Sequence, residues 1–274
     1  MLSCKTGSGS LIKTVVEILR NTMTEVPMRI DRNGLTIRTM DEQQSTMVDM
    51  VLRADKFEKF NYEPFAKAKP GPNGPHVTFE INLSLLYNAL TSVKKKGSVG
   101  FEFMERPPLP APQVPTLAVT TRNKSDEVHN RTLIQVTLIE IDVHTHLPMG
   151  YVNHMNAKSD LFTGFKNLTK LSHSVLVRIS RNSILLRTDA GEIAHGDTTE
   201  DAVYEEVFAS SALGKIVKIK SLDPNFQVHT GPDLPIKICS SIGTLGEFSI
   251  YIKSTRVMET ELAELADAEY EEED

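Results

Sequence analysis

Cysteine is almost absent from these 274 residues, with only Cys4 and Cys239 present. Two remote thiols exclude a disulfide scaffold and a cysteine-rich zinc site, and the plain reading is a reduced, intracellular chain. Long apolar runs are missing as well. None approaches the roughly 18 residues of a membrane span, and the opening MLSCKTGSGS lacks the apolar core of a signal peptide. Catalytic signatures are equally scarce. GSGS at 7–10 is not followed by the Gly-Lys-Ser/Thr of a phosphate loop and reads as the loose start of a helix. HTH at 144–146, with His129 and His154 nearby in sequence, has no HExxH and no cysteine partner, so no metal is expected. Asp41-Glu42 and Asp197 with Glu200-Asp201 lie on turns without a partnered nucleophile. A nuclease or polymerase therefore lacks its carboxylate constellation. No helix-turn-helix, zinc finger or RNP-type aromatic motif is present to read bases, and no cofactor is expected.

What is present is enough for two domains of ordinary size, with 40% hydrophobic and 24% charged residues. The net charge of −6 hides a segregation. Residues 259–274 hold nine acids and no base, which leaves 30 bases against 27 acids in residues 1–258. The terminal run has too few large apolar residues to pack and reads as a solvated or disordered tail.

The body repeats itself. RIDRNGLTIRT at 29–39 returns as RISRNSILLRT at 178–188, at a constant offset of 149. Each copy reads as a strand, a tight turn at Asn33-Gly34 or Asn182-Ser183, and a second strand. Helical spacing appears at 9–21, with Ile12, Val15, Val16 and Leu19 on one face, and again at 158–170, with Phe162, Phe165 and Thr169. Further helices are predicted over 82–96 and 209–221. The final strands are predicted at 133–141, 235–238 and 247–252. The fold class is therefore α+β, as two tandem similar domains, each with two helices packed on antiparallel sheet. The expected divisions are an N-terminal domain at 1–141, a connector at 142–150, a C-terminal domain at 151–257 and an acidic tail at 258–274. The loop at 63–75 reads as an insertion. PPLPAPQVP at 107–115 reads as a stiff inserted loop or a polyproline ligand.

The four predicted helices carry eleven bases against two acids, Glu17 and Asp160. Lysine-rich helices serve solubility and helix propensity, but ordinary solvated helices mix both signs. A basic helical face on an acidic remainder also suits sequence-independent phosphate contact. On that reading the DNA-facing candidates are Lys13, Arg20, Lys94, Lys95, Lys96, Lys158, Lys166, Lys170, Lys215 and Lys218.

GSLIKTVVEIL and NGLTIRTMD, with Thr39-Met40-Asp41, resemble the first helix and following strand of sliding clamps of the proliferating cell nuclear antigen (PCNA) type. VDMVLRADKFEKF (48–60), LIEIDVHTHLP (138–148), AGEIAHGD (190–197) and LPIKICSSIGTLGEFSIYI (234–252) continue the resemblance in order, over nearly the whole chain to about residue 255. The resemblance implies the DNA-clamp fold and a non-enzymatic polymerase processivity factor. It implies a homotrimeric ring around double-stranded DNA, closed head to tail and set in place by a clamp loader, in the nucleus or at a viral replication site. Subunits of a checkpoint-type hetero-ring and open viral processivity factors are the alternatives. Proteins with PCNA-interacting peptide motifs would dock on Met40, Gln44, Leu147, Met149, Pro235, Tyr251 and Ile252, although Tyr251 and Ile252 also read as plain core strand. The ring seam would pair the strand around Arg131–Leu138 with the strand around Ala194–Asp201 of the next subunit. Departures from the family pattern mark a divergent member, with a viral source among the options. Lys253-Ser254 stands where the family has Ala-Pro, Asn88 and Thr91 stand where lysines are usual, both loops are extra and the tail is longer.

Overall fold

Alternating burial of Leu2, Cys4 and Thr6 makes β1 (Leu2–Thr6) a strand with one face in the core. It leads into α1 (Gly9–Arg20), where the predicted i, i+3, i+4, i+7 stripe of Ile12, Val15, Val16 and Leu19 is buried. The computed structural model describes residues 1–64, 68–71, 74–106, 114–139 and 146–272. The chain divides into two units by compactness. One comprises Met1–Thr39, Val48–Thr145 and Ser241–Phe248; the other comprises Met40–Met47, His146–Ser240 and Ser249–Asp274. Residues 142–145 of the predicted connector and 107–113 of the Pro-rich loop lie outside the described residues.

After α1, the first unit continues through β2 (Glu25–Asp31), β3 (Gly34–Met40), β4 (Thr46–Arg53), β5 (Lys59–Tyr62) and β6 (Val77–Asn82). Then come α2 (Leu83–Leu90), β7 (Ser98–Met104), β8 (Thr116–Arg122), β9 (Val128–Gln135) and β10 (Thr137–Leu138). One antiparallel sheet runs β5-β1-β7-β8-β9, which leaves β9 as an edge. The other strands run β10-β6-β2-β3-β4. Phe79 and Phe103 stack at 4.9 Å in the core.

The second unit contains β11 (Asn153–Lys158), α3 (Leu161–Leu171), β12 (Ser174–Ile179), β13 (Ile184–Thr188), β14 (Gly191–His195) and β15 (Tyr204–Ala209). It continues with α4 (Ser210–Gly214), β16 (Asn225–Thr230), β17 (Ile236–Ser241, of which Ser241 is counted with the first unit), β18 (Gly246–Ile252, of which 249–252 belong to this unit) and α5 (Thr255–Glu272). Its small sheet runs β14-β13-β12-β15, with β14 at one edge. Its other strands run β18-β17-β16-β11. Phe162 packs on Phe226 at 4.7 Å, beneath α3.

The repeated hairpin is present twice, as β2–β3 and β12–β13, but each turn sits one residue earlier than expected. Asp31 pairs with Gly34 across a loop of Arg32 and Asn33, and Ser180 N–H donates to the Ser183 carbonyl across Arg181 and Asn182. Gly34 is needed for another reason. At φ +143° a β-carbon there would lie 1.9 Å from the Leu52 carbonyl oxygen, so glycine admits the neighbouring strand. Ser183 holds the corresponding place in the second copy, and there Gly196 makes the close approach, against the Asn182 carbonyl.

Three helix predictions overran. The predicted helix over 82–96 is α2, which stops at Leu90. The chain then turns to bury Val93, and Lys94, Lys95 and Lys96 stand exposed in a turn closed by Gly97 N–H on the Lys94 carbonyl. The third helix begins at Leu161, because Lys158 is the last residue of β11 and pairs with Asn225. The fourth breaks at Gly214 and resumes as a 3-10 turn over Val217–Ser221. The acidic terminal run is helical rather than irregular. Ser254 Oγ accepts the Val257 N–H as an N-cap, Val257 is buried, and Arg256 binds both Glu206 and Asp233.

Asn82 shows how such caps set helix starts. Its Oδ1 accepts the backbone N–H groups of Ser84 at 3.0 Å and Leu85 at 3.1 Å. Asn82→Ala should destabilise the chain by about 1 kcal/mol. Urea unfolding would check this, and an unchanged midpoint would mean that the cap contributes nothing.

Candidate functional site

The apolar stripe of α1 leaves Lys13, Glu17 and Arg20 on the opposite side, all half-buried. Lys13 Nζ donates to the Thr91 carbonyl at 2.8 Å, just past the end of α2. The Arg20 guanidinium lies 4.0 Å over the Tyr87 ring of α2, a cation–π contact that steers the base along the helix pair. Lys94, Lys95 and Lys96 follow three to five residues beyond the carbonyl that Lys13 holds. The first unit thus gathers five of the expected bases around α1 and α2, although the last three sit on a turn and not on a helix.

In the second unit, burial of Leu161, Phe162 and Phe165 turns Lys166 and Lys170 of α3 outward. Lys220, counted among the helix bases but not assigned to DNA, donates its Nζ to Thr163 Oγ1 at 3.2 Å and joins that row. Lys158 and Lys220 flank an open cleft of about 380 Å³ that is also lined by Asp160 and Asp223. Lys218 is half-buried in the 3-10 turn. Lys215 is the exception among the expected phosphate contacts. Its ammonium sits 2.9 Å from Asp41 Oδ2, with 19% of the Lys215 side chain and 5% of the Asp41 side chain exposed. That partner neutralises it.

All seven expected partner-docking residues belong to the second unit. Met40 and Gln44 flank a tight turn in which Asp41 N–H donates to Thr46 O at 2.8 Å and Gln44 N–H to Asp41 O at 2.9 Å. Gln44 is exposed and left-handed, at φ +53°. Leu147 and Pro235 are half-buried, and Met149 is 83% exposed. Tyr251 and Ile252 do not reach the surface; at 2% and 0% exposure they form core strand. Tyr251 is covered by its neighbours. Tyr151 lies 6.3 Å from Tyr251, its hydroxyl donates to the Pro235 carbonyl at 2.9 Å, and Lys237 Nζ stands 5.4 Å from the Tyr251 ring. Burial, reinforced by Tyr251, holds the Tyr151 phenol above the ordinary tyrosine range. Tyr151 and Lys237 were missed in the sequence because neither lies in a recognisable pattern. Val152, next to Tyr151, is exposed.

The Asp41 carboxyl is the most constrained ionisable group here. Burial alone would raise its pKa, but hydrogen bonds from Lys215, the Thr46 N–H and Ser45 outweigh that and hold it below the usual carboxylate value. Among the described residues, no group of three His, Cys, Asp or Glu side chains is placed to hold a metal ion, and no helix is long and apolar enough to cross a membrane.

A family model described as "Proliferating cell nuclear antigen, N-terminal domain" matches residues 1–64. The chain is 23% identical over 251 residues to "Proliferating cell nuclear antigen 2" of Plasmodium falciparum, covering 87% of this chain and 89% of that protein. It is 20% identical over 268 residues to "Probable DNA polymerase sliding clamp" of Autographa californica nuclear polyhedrosis virus, covering 92% and 95%. Among solved structures, a chain of the PCNA2-PCNA3 complex from Sulfolobus tokodaii superposes with a TM-score of 0.72 at 17% identity, over 92% of this chain and 99% of that one. That likeness is one of fold.

Proposed function

As a divergent relative of the PCNA-type sliding clamps, a family of non-enzymatic processivity factors, this chain acts, we propose, as a DNA polymerase sliding clamp. Three copies close head to tail around duplex DNA and tether replication and repair proteins to it, in the nucleus or at a viral replication site. A clamp loader opens and closes the ring. The observation that carries this reading is the row of bases on the first helix of each unit: Lys13 and Arg20 on α1, and Lys166 and Lys170 on α3 with Lys220 beside them. Bases in such rows attract phosphates without reading sequence, so the ring holds DNA and still slides. Lys94, Lys95, Lys96, Lys158 and Lys218 supply further charge on the same units. The exposed edges β9 and β14 supply the seam, and the surface of Met40, Gln44, Leu147, Met149 and Pro235 receives partner peptides, while Tyr251 and Ile252 lie in the core strand behind it.

Light scattering over a concentration series tests the ring. Three chains of 30.5 kDa in closed symmetry give a species of about 92 kDa. A 30.5 kDa species at every concentration would sink the homotrimer. The second reading, one subunit of a hetero-ring, would then take its place. It is favoured by the likeness to a chain from a complex of two different clamp proteins.

A further inference from the structure

We propose that Lys215 is a positioning residue for the partner surface and not a DNA contact, an inference that rests on the partner-docking reading above. The geometry is specific. The two oxygens of Asp41 accept four donors: Ser45 N–H at 2.8 Å and Thr46 N–H at 3.0 Å on Oδ1, and Ser45 Oγ–H at 2.9 Å and Lys215 Nζ at 2.9 Å on Oδ2. Three of these donors lie within the turn itself. The fourth arrives from 174 residues away, across the end of α4. A second long-range anchor, Lys253 N–H on the Ser45 carbonyl at 2.9 Å, holds the same turn from the end of β18.

The turn needs holding. Gln44 occupies the left-handed region at φ +53°, which a side chain other than glycine adopts at a cost and keeps only where its surroundings fix it. It is also the exposed tip through which this segment would meet a partner. The Asp41 carboxylate fixes the turn from inside, and Lys215 supplies the opposite charge that lets the carboxylate stay ionised while buried. Lys215 makes this reach as the residue that caps α4, with helical φ −62° and ψ −29°.

Four versions of the full chain test this: wild type, K215M, D41N and the double variant, with K215R as the conservative control. Two titrations are read for each. One is anisotropy of a fluorescein-labelled synthetic peptide of the PCNA-interacting type. The other is anisotropy of a labelled DNA duplex between about 50 and 200 mM salt. K215M and D41N should each weaken peptide binding about ten- to a hundredfold, and the double variant should do no worse than either single one. K215R should recover most of the loss, and the slope of DNA affinity against salt should stay at the wild-type value. A slope reduced by about one in K215M, with peptide binding unchanged, makes Lys215 a phosphate contact and overturns the proposal. If K215M does not fold, the near-isosteric D41N carries the peptide measurement. If wild type binds no peptide, the docking reading fails, and the positioning role is judged on the free protein. Faster amide exchange at Ser45 and Thr46 in D41N and K215M upholds it, and unchanged exchange overturns it.

Discussion

A variant with Lys13, Arg20, Lys166 and Lys170 all changed to glutamate should lose at least about a thousandfold in affinity for duplex DNA at low salt. Each of the four lies on the outward side of α1 or α3, exposed or half-buried, so each change should cost the fold only about 0.5 kcal/mol. Arg20 gives up its stacking on Tyr87 besides, worth about 0.5–1 kcal/mol. In a closed ring every change is made once per subunit, and attraction toward the duplex becomes repulsion. The signature is the salt dependence as much as the affinity. Each phosphate contact contributes about 0.9 to the slope of log affinity against log salt, so the slope should fall steeply, to what the unchanged bases supply. Anisotropy with a labelled duplex measures both. Wild-type affinity and slope in this variant would mean that α1 and α3 do not face DNA.

The second large effect concerns assembly. β9 is an edge of the five-stranded sheet, and Leu133 on it is 47% exposed. A lone exposed leucine is ordinary. An apolar residue on an open edge strand is not, since such edges invite pairing and are usually blunted by charge. β14, with half-buried Ile193, is the matching open edge of the second unit. Leu133→Lys should remove apolar contact and strand a charge in the seam, costing about 2–4 kcal/mol at each junction. Because a three-fold ring repeats the junction three times, the total of about 6–12 kcal/mol would abolish the ring at micromolar concentration. Light scattering should then report 30.5 kDa, with unchanged thermal unfolding of the subunit. A persistent trimer would place the seam elsewhere.

What the sequence disclosed follows physical lines. The stripe of α1 was legible because its four buried positions obey one period. The duplication was legible because identical residues recur at one offset. The ends of helices were not, since tertiary pairing decides them: β11 claims Lys158 for the sheet, and burial of Val93 turns the chain before Lys94. The acidic run read as irregular because its composition offers little to pack. Its helix is anchored instead by the local cap at Ser254 and by Arg256 on Glu206 and Asp233, the latter two contacts between residues far apart in sequence. Lys215 was grouped with the phosphate-facing bases because nothing in its neighbourhood announces Asp41, 174 residues earlier. Tyr251 looked like pocket lining, and Tyr151, which helps to bury it, carries no sequence signal of that role.

The two thiols are chemically unequal, and that gives an experimental handle. Cys4 is buried in β1, and burial pushes its thiol up to about 12, so at neutral pH it presents almost no nucleophilic thiolate. Cys239 is half-buried on β17, where Ser249 Oγ–H donates to its sulfur. A maleimide dye would therefore mark one position per chain, on the strand next to the one that carries Tyr251. Such a label turns subunit stoichiometry into a count of bleaching steps on single molecules, without altering any residue of the chain.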